Sequence, residues 1–324
     1  MTIKRFVDSE TIESTGAFMQ GELERLDQQI YEPISEFTYG RDIDLRQDVT
    51  IADETSSFML SNYAGGVSGT GHGTKAWASQ KDGTIPRVDV QMTKTLHPMT
   101  PWAMEVGFDV FELAKAQQVG RPIDTQKFDA MKVRHHRDID EQVYIGDDET
   151  GATGLLNSAL VDKANIGAFN LSTATAEDFM DMINDILNAA YKNTQFIMVP
   201  ERILLPPEYM EFLSKPMVIG STPLAITVGE YVRKKSLTYT ATGKELEMFP
   251  CRWLSTTMAG AKFSSGRIVA YTKRKDLVRF PLVELQNTPV QFRDLKQNTI
   301  YYGALGQVEV VRPETLFYGD CVAA

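Results

Sequence analysis

Between residues 84 and 110 apolar and polar positions alternate. Val88, Val90 and Met92 are separated by Asp89, Gln91 and Thr93, and Trp102, Met104, Val106, Phe108 and Val110 by smaller or polar residues. Successive side chains of a strand face opposite ways, so each run is a strand that turns one apolar face to a core. His97-Pro98 and Thr100-Pro101 interrupt the runs, as proline does at an edge or bend. Together they read as a long hairpin whose tip is the glycine-rich stretch 64–83. The period then becomes helical over 108–119 (FDVFELAKAQQV), which stops at Gly120 with Pro122 just beyond. A longer helix is predicted over 124–145, with Phe128, Met131, His135, Ile139 and Val143 close to one face. At 1.5 Å per residue it makes a rod of about 33 Å.

A glycine-punctuated turn follows (YIGDDETGATGLLN, 144–157), and then Thr175 and Asp178 in capping-box spacing. The helix they open has a clean apolar face: Phe179, Met182, Ile183, Ile186, Leu187 and Ala190. Beyond it, FIMVP (196–200) reads as a buried strand and PPEYMEFL (206–213) as a short helix begun by proline. A helix at 226–234 and strands around 246–254, 267–272, 277–284, 288–293 and 306–311 complete the pattern. The class is α+β, without the strand–helix alternation of a doubly wound sheet. Residues 1–48 are polar and acidic. Leu23, Leu26 and Ile30 suggest one short amphipathic helix, and the rest reads as an arm that must lie on something else.

Composition narrows the function. The chain has 324 residues, 43% hydrophobic, with a net charge of −10. A protein that grips nucleic acid by counterion release carries a basic surplus, and here only 233–235 (RKK) and 273–275 (KRK) are locally basic. No apolar run is long enough to cross a bilayer, and MTIKRFVDSE has no apolar core of a secretory signal. Cys251 and Cys321 lie far apart and fit a compartment where thiols stay reduced.

The glycine run is not a phosphate loop. Thr74 separates Gly73 from Lys75, and no helix follows; the spacing Gly69, Gly71, Gly73 also fails the dinucleotide pattern. The segment HHRDIDE (135–141) is the one metal-like cluster. His136 and Asp140 are its candidate ligands at i, i+4, but the order is not H-E-x-x-H and no third ligand presents itself. A solvated helix face explains the segment as well. Asp147, Asp148 and Glu149 lack the spacing of a calcium loop, and Ser68 lies outside a nucleophile elbow. No motif asks for a cofactor or a catalytic role.

Four segments, in order, resemble the major capsid proteins of tailed bacteriophages with the Hong Kong 97-type fold. They are IPRVDV (85–90), VFELAKAQQVGRPID (110–124), YIGDDETGATGLLN (144–157) and FIMVPERILLPPEYMEFL (196–213). The resemblance implies an α+β, Hong Kong 97-like fold: an N-terminal arm over 1–50 and an extended E-loop over 51–107 with its tip at 64–83. It implies a P-domain over 108–194 with the spine helix at 124–145, an A-domain over 195–280, and P-domain return strands over 281–324. The function implied is that of a non-catalytic structural subunit. It self-assembles into hexamers and pentamers of an icosahedral phage head around double-stranded DNA. An encapsulin-like nanocompartment enclosing a cargo enzyme is the alternative, and the content of the particle separates the two.

Expected partners are further copies of the chain, a separate scaffolding protein, a portal, a decoration protein and packaged DNA held without sequence specificity; no membrane is expected. The expected location is the virion, after synthesis in the cytoplasm of a bacterial host. Contacts between copies are expected at the loop tip: at Gly69, Gly71 and Gly73, whose conformational freedom suits slightly different lattice surroundings, and at Lys75, Trp77 and Lys81. No asparagine or carboxylate can be assigned to a lysine cross-link, so closure is expected to be non-covalent.

Overall fold

The computed structural model describes residues 37–65, 88–119, 123–168, 174–219, 222–257, 263 and 266–322. The arm before Phe37, the helix expected over 20–30, and Gly69, Gly71, Gly73, Lys75, Trp77 and Lys81 lie outside the described residues. The N-terminal part contains α1 (Tyr39–Asp42), β1 (Asp44–Arg46), β2 (Thr55–Gly65), β3 (Val88–Pro98), β4 (Thr100–Asp109), α2 (Val110–Val119) and α3 (Ile123–Tyr144). The middle contains β5 (Gly146–Asp147), β6 (Ala152–Thr153), β7 (Asp162–Ala168), α4 (Ala176–Asn193), β8 (Arg202–Leu205), α5 (Tyr209–Leu213), β9 (Pro216–Ile219) and β10 (Thr222–Thr227). Then come α6 (Val228–Lys235), α7 (Leu237–Thr242), β11 (Glu247–Pro250), β12 (Gly266–Tyr271), β13 (Val278–Asn287), β14 (Gln291–Arg293), β15 (Lys296–Leu305), β16 (Glu309–Val310) and β17 (Phe317–Val322).

A mixed five-stranded sheet, in the order β11-β8-β12-β17-β7, forms the centre. Its strands alternate between two cores. Ile203, Leu205, Met248, Ile268, Ala270, Phe317 and Cys321 face one; Leu204, Val269, Tyr271 and Tyr318 face the other. The first core is closed by α4, whose Phe179, Met182, Ile183, Ile186, Leu187 and Ala190 are all buried, with α5 and α6 beside it. The expected capping box is present: the Thr175 hydroxyl accepts from the Asp178 amide, and the Asp178 carboxylate accepts from the Thr175 amide at 2.8 Å. Packing is tight enough that a Cβ on Gly319 would come within 2.3 Å of Ile166 and 3.0 Å of Ile186.

The second core is closed by the C-terminal half of α3, through Ile139, Val143 and Tyr144, and by Ile43, Leu155 and Leu156. The glycine turn after α3 caps it. Gly146 has φ 78° and its missing Cβ leaves room for the Ala152 carbonyl, so β5 and β6 can reverse the chain. Leu155 and Leu156 then donate their amides to the carbonyls of Val143 and Tyr144, and the Asn157 side chain donates to the Ile145 carbonyl. The GLLN sequence thus satisfies the carbonyls that a helix end leaves open.

The hairpin consists of β2 and β3, in register from Thr55 opposite Pro98 to Gly65 opposite Val88. At ~3.4 Å per residue each strand extends about 37 Å. The second alternating run does not belong to it. β4 pairs along its whole length with β15, in the six-stranded sheet that also contains β1, β13, β14 and β16. Met99, buried with Val49, Val283 and Ala304, anchors the point where the chain leaves the hairpin for that sheet.

Two further expectations are revised. There is no strand at 196–200: the Thr194 hydroxyl holds both the amide and the carbonyl of Met198, Gln195 and Phe196 turn left-handed, and pairing begins at Arg202. The strand expected to reach 254 stops at Pro250, and Arg252–Leu254 form a single 3-10 turn. Residues 37–49 lie against the body: β1 joins β13 as a parallel strand and Ile43 is buried in the second core. Replacing Ile186 with alanine removes the middle of the α4 seam; the isolated subunit is expected to lose about 2–5 kcal/mol in urea unfolding.

Candidate functional site

Helix α3 carries both of the metal candidates and places them against the segment that enters the body at Phe37. Asp140 is fully buried. Its Oδ1 accepts the backbone amides of Thr38 (3.0 Å) and Tyr39 (3.2 Å), and its Oδ2 accepts Trp253 Nε1 (2.7 Å) and Arg252 Nη2 (3.1 Å). Both oxygens are occupied by donors, which leaves a metal little to bind. His136 Nδ1 lies 2.9 Å from the hydroxyl of Tyr39, the residue whose amide Asp140 accepts. Among the described residues no group of three or more His, Cys, Asp or Glu side chains is arranged to hold a metal ion.

Two more buried carboxylates complete the fastening of this segment. Asp42 pairs with Arg41 (2.7 Å) and accepts the Tyr144 hydroxyl, while the Tyr271 hydroxyl donates to its carbonyl. Burial above all pushes the Tyr144 hydroxyl far up, so it remains a donor. Glu309 accepts Arg279 Nε (2.5 Å), Arg46 Nη1 (3.2 Å) and the Ser56 hydroxyl at the base of the hairpin. These carboxylates escaped the sequence reading, although Glu309, alone in the apolar run VEVV, carried a visible signal: a buried charge needs a partner. Arg252 and Trp253 carried none, since their role depends on where the 3-10 turn ends.

His135 is buried against the Trp102 ring, 4.4 Å between centroids, and Trp102 donates to Asp138 at 3.0 Å. Burial, with a smaller contribution from His136, pushes its pKa down to about 4. His136 is also lowered, by burial first and then by Lys132.

An exposed apolar feature lies on the hairpin. The register places Met59 opposite Lys94, so Met59 of β2 shares one face with Val90, Met92 and Leu96 of β3. Their exposures are 67%, 49%, 72% and 57%. The opposite face is buried at its base, where Phe58 stacks on His97 at 5.7 Å. The result is a lever fastened at one end, with an apolar stripe open to solvent. Nothing in this arrangement is a catalytic constellation; it is a surface built to be covered.

The model of the family described as major capsid protein matches residues 73–322, most of the chain. The chain belongs to the major capsid protein family. This capsid protein is a subunit of a virion shell made of copies of the chain. Its fold is that of solved phage capsids. The capsid of Myoviridae phage XM1 is similar at 16% identity with a TM-score of 0.74, over 93% of this chain and 98% of that one. The capsid of the native GTA particle gives 10% and 0.60 over 95% and 99%, and Gordonia phage Cozz 10% and 0.57 over 100% and 99%. No curated protein sequence matches.

Asp140→Ala strips the acceptor from four donors; it is expected to cost the subunit about 3–5 kcal/mol, with Asp140→Asn milder, in denaturant titrations. The histidines give a pH signature. Both have native pKa values below the ordinary 6.5, so the unfolded chain binds more protons than the native one between about 4 and 6.5. Their contribution is full above that window and is lost as pH falls through it. His135→Phe is expected to shrink the loss, measured as the difference between variant and wild-type stability at pH 7 and pH 5.

Proposed function

We propose that the capsid protein assembles into hexamers and pentamers of a phage head that encloses double-stranded DNA, without catalysis. The observation that carries this reading is the stripe of Met59, Val90, Met92 and Leu96, exposed on a two-stranded hairpin. Such a stripe is an aggregation hazard on a free monomer and becomes useful when a neighbouring copy covers it. A net charge of −10 suits a container that surrounds DNA without gripping it.

On this reading residues 1–50 are the arm and 51–107 the E-loop, with Gly69, Gly71, Gly73, Lys75, Trp77 and Lys81 at the contacts of its tip. Residues 108–194 and 281–324 are the P-domain and 195–280 the A-domain around the symmetry axes. One feature modifies that division: β17 (Phe317–Val322) and β7 (Asp162–Ala168) share a sheet with β8, β11 and β12, so the two domains are continuous through the central sheet. A separate scaffolding protein, a portal and a decoration protein complete the head, and synthesis takes place in the cytoplasm of the bacterial host.

Deleting 64–82 tests the loop. The variant is expected to fold and stay soluble but to form no stable shells by size exclusion and negative-stain microscopy; normal shells would contradict the reading. Met92→Asp, in the middle of the stripe, is expected to act in the same direction without shortening the loop.

A further inference from the structure

The turn that replaces the expected strand at 196–200 is specified in detail. Gln195 (φ 54°) and Phe196 (φ 62°) are successive non-glycine residues in the left-handed region, a conformation that side chains disfavour. It is held by four contacts. The Phe196 amide donates to the Tyr191 carbonyl at 2.9 Å and the Ile197 amide to the Thr194 carbonyl at 3.2 Å. The Thr194 hydroxyl bridges Met198, and the Phe196 ring meets Tyr191 edge-on at 5.1 Å. Yet the product of this arrangement is exposure: Phe196 is 59% and Ile197 82% accessible. A strained turn that spends its hydrogen bonds to present two large apolar side chains is shaped for contact.

Beside it lies a groove of about 460 Å3, walled by Ile197, Met198 and Leu277 and edged by Arg312 and Glu314. Arg312 and Glu314 form a loose pair at 3.6 Å and are each nearly half exposed, so both charges remain open to an incoming surface. An apolar projection, an adjoining groove with three apolar side chains in a polar rim, and one charge of each sign occupy a single patch. A patch that contains both halves of a contact is complementary to itself, the condition for an isologous two-fold interface.

We propose that this patch is a two-fold contact between copies of the capsid protein: Phe196 and Ile197 of each copy enter the groove of the other, and Arg312 of each faces Glu314 of its mate. The contact is separate from the hairpin stripe and uses none of its residues. Both single-sign charges are answered across the axis, and the exposed Ile197 is covered on both copies at once.

The test is complementation in trans, with shell yield measured by sedimentation and microscopy and folding checked by circular dichroism. Arg312→Glu and Glu314→Arg each set like charges face to face in a contact between identical copies. Each alone is expected to lower shell yield at least about tenfold. Mixed, they again oppose unlike charges at every heterotypic contact, and yield is expected to recover. Wild-type yield from both single variants, or a mixture no better than either, overturns the proposal. A second arm does not depend on impaired assembly. Ile197→Cys and Glu314→Cys on separate chains are expected to form a mixed disulfide dimer when shells assembled from both are purified and oxidised with oxidised glutathione, which accepts the two electrons. Absence of that dimer, or cross-linking of Ile197→Cys to a different component of the particle, overturns the two-fold contact.

Discussion

A sheet whose strands bury side chains on both faces needs a cover on each side, and most of this capsid protein is arranged to supply the two covers. β8, β12 and β17 alternate residue by residue between the cores. Helix α4 closes one face with a continuous apolar seam; the end of α3, the GLLN turn and the segment around Ile43 close the other. The strands come from widely separated parts of the chain, from Asp162 to Val322. The sheet therefore forms only when the C-terminal half of the chain is in place, and everything that projects from it is positioned by it. The two cysteines show the separation: Cys251 is buried in one core and Cys321 in the other, so the sheet stands between the two thiols.

Polar burial serves the same frame. Asp42, Asp140 and Glu309 are wholly inaccessible, and each is surrounded by arginine, tyrosine, tryptophan or backbone donors. Buried ion pairs are poor sources of net stability but strict about geometry. Here they fix the segment from Thr38 to Arg46 and, through Ser56 and Arg46, how the base of the hairpin is held. A shell subunit needs a rigid body that aims its projecting parts, and these contacts provide it.

Elements with one buried face were legible in the sequence, because amphipathic periodicity survives there. The 3.6-residue pattern located α3 and α4 to within a residue or so, and the capping box marked where α4 begins. The two-residue period located β3 and β4 but not their partners, since register depends on contacts distant in sequence; β4 joined β15 instead of the hairpin. β15 itself was hidden by its polar start, Lys296 to Thr299, and β17 by burial on both faces, which erases alternation. The apolar run FIMVP misled because Phe196 and Ile197 are exposed at a turn. His136 and Asp140 both meet Tyr39, the carboxylate through the backbone amide and the imidazole through the hydroxyl, so their i, i+4 spacing reports contact with the segment after Phe37.

On the proposed function, the exposed stripe of the hairpin is covered when copies of the capsid protein meet. Methionine oxidation reports it directly, because Met59 and Met92 lie on the stripe while Met131 and Met217 are buried in the body and serve as internal references. Shells and unassembled subunits are exposed to the same dose of peroxide, and oxidation is followed by mass spectrometry of peptides. Met59 and Met92 are expected to oxidise rapidly in the free subunit and much more slowly in the shell, with Met131 and Met217 slow in both. Equal oxidation of Met59 and Met92 in the two states would contradict it.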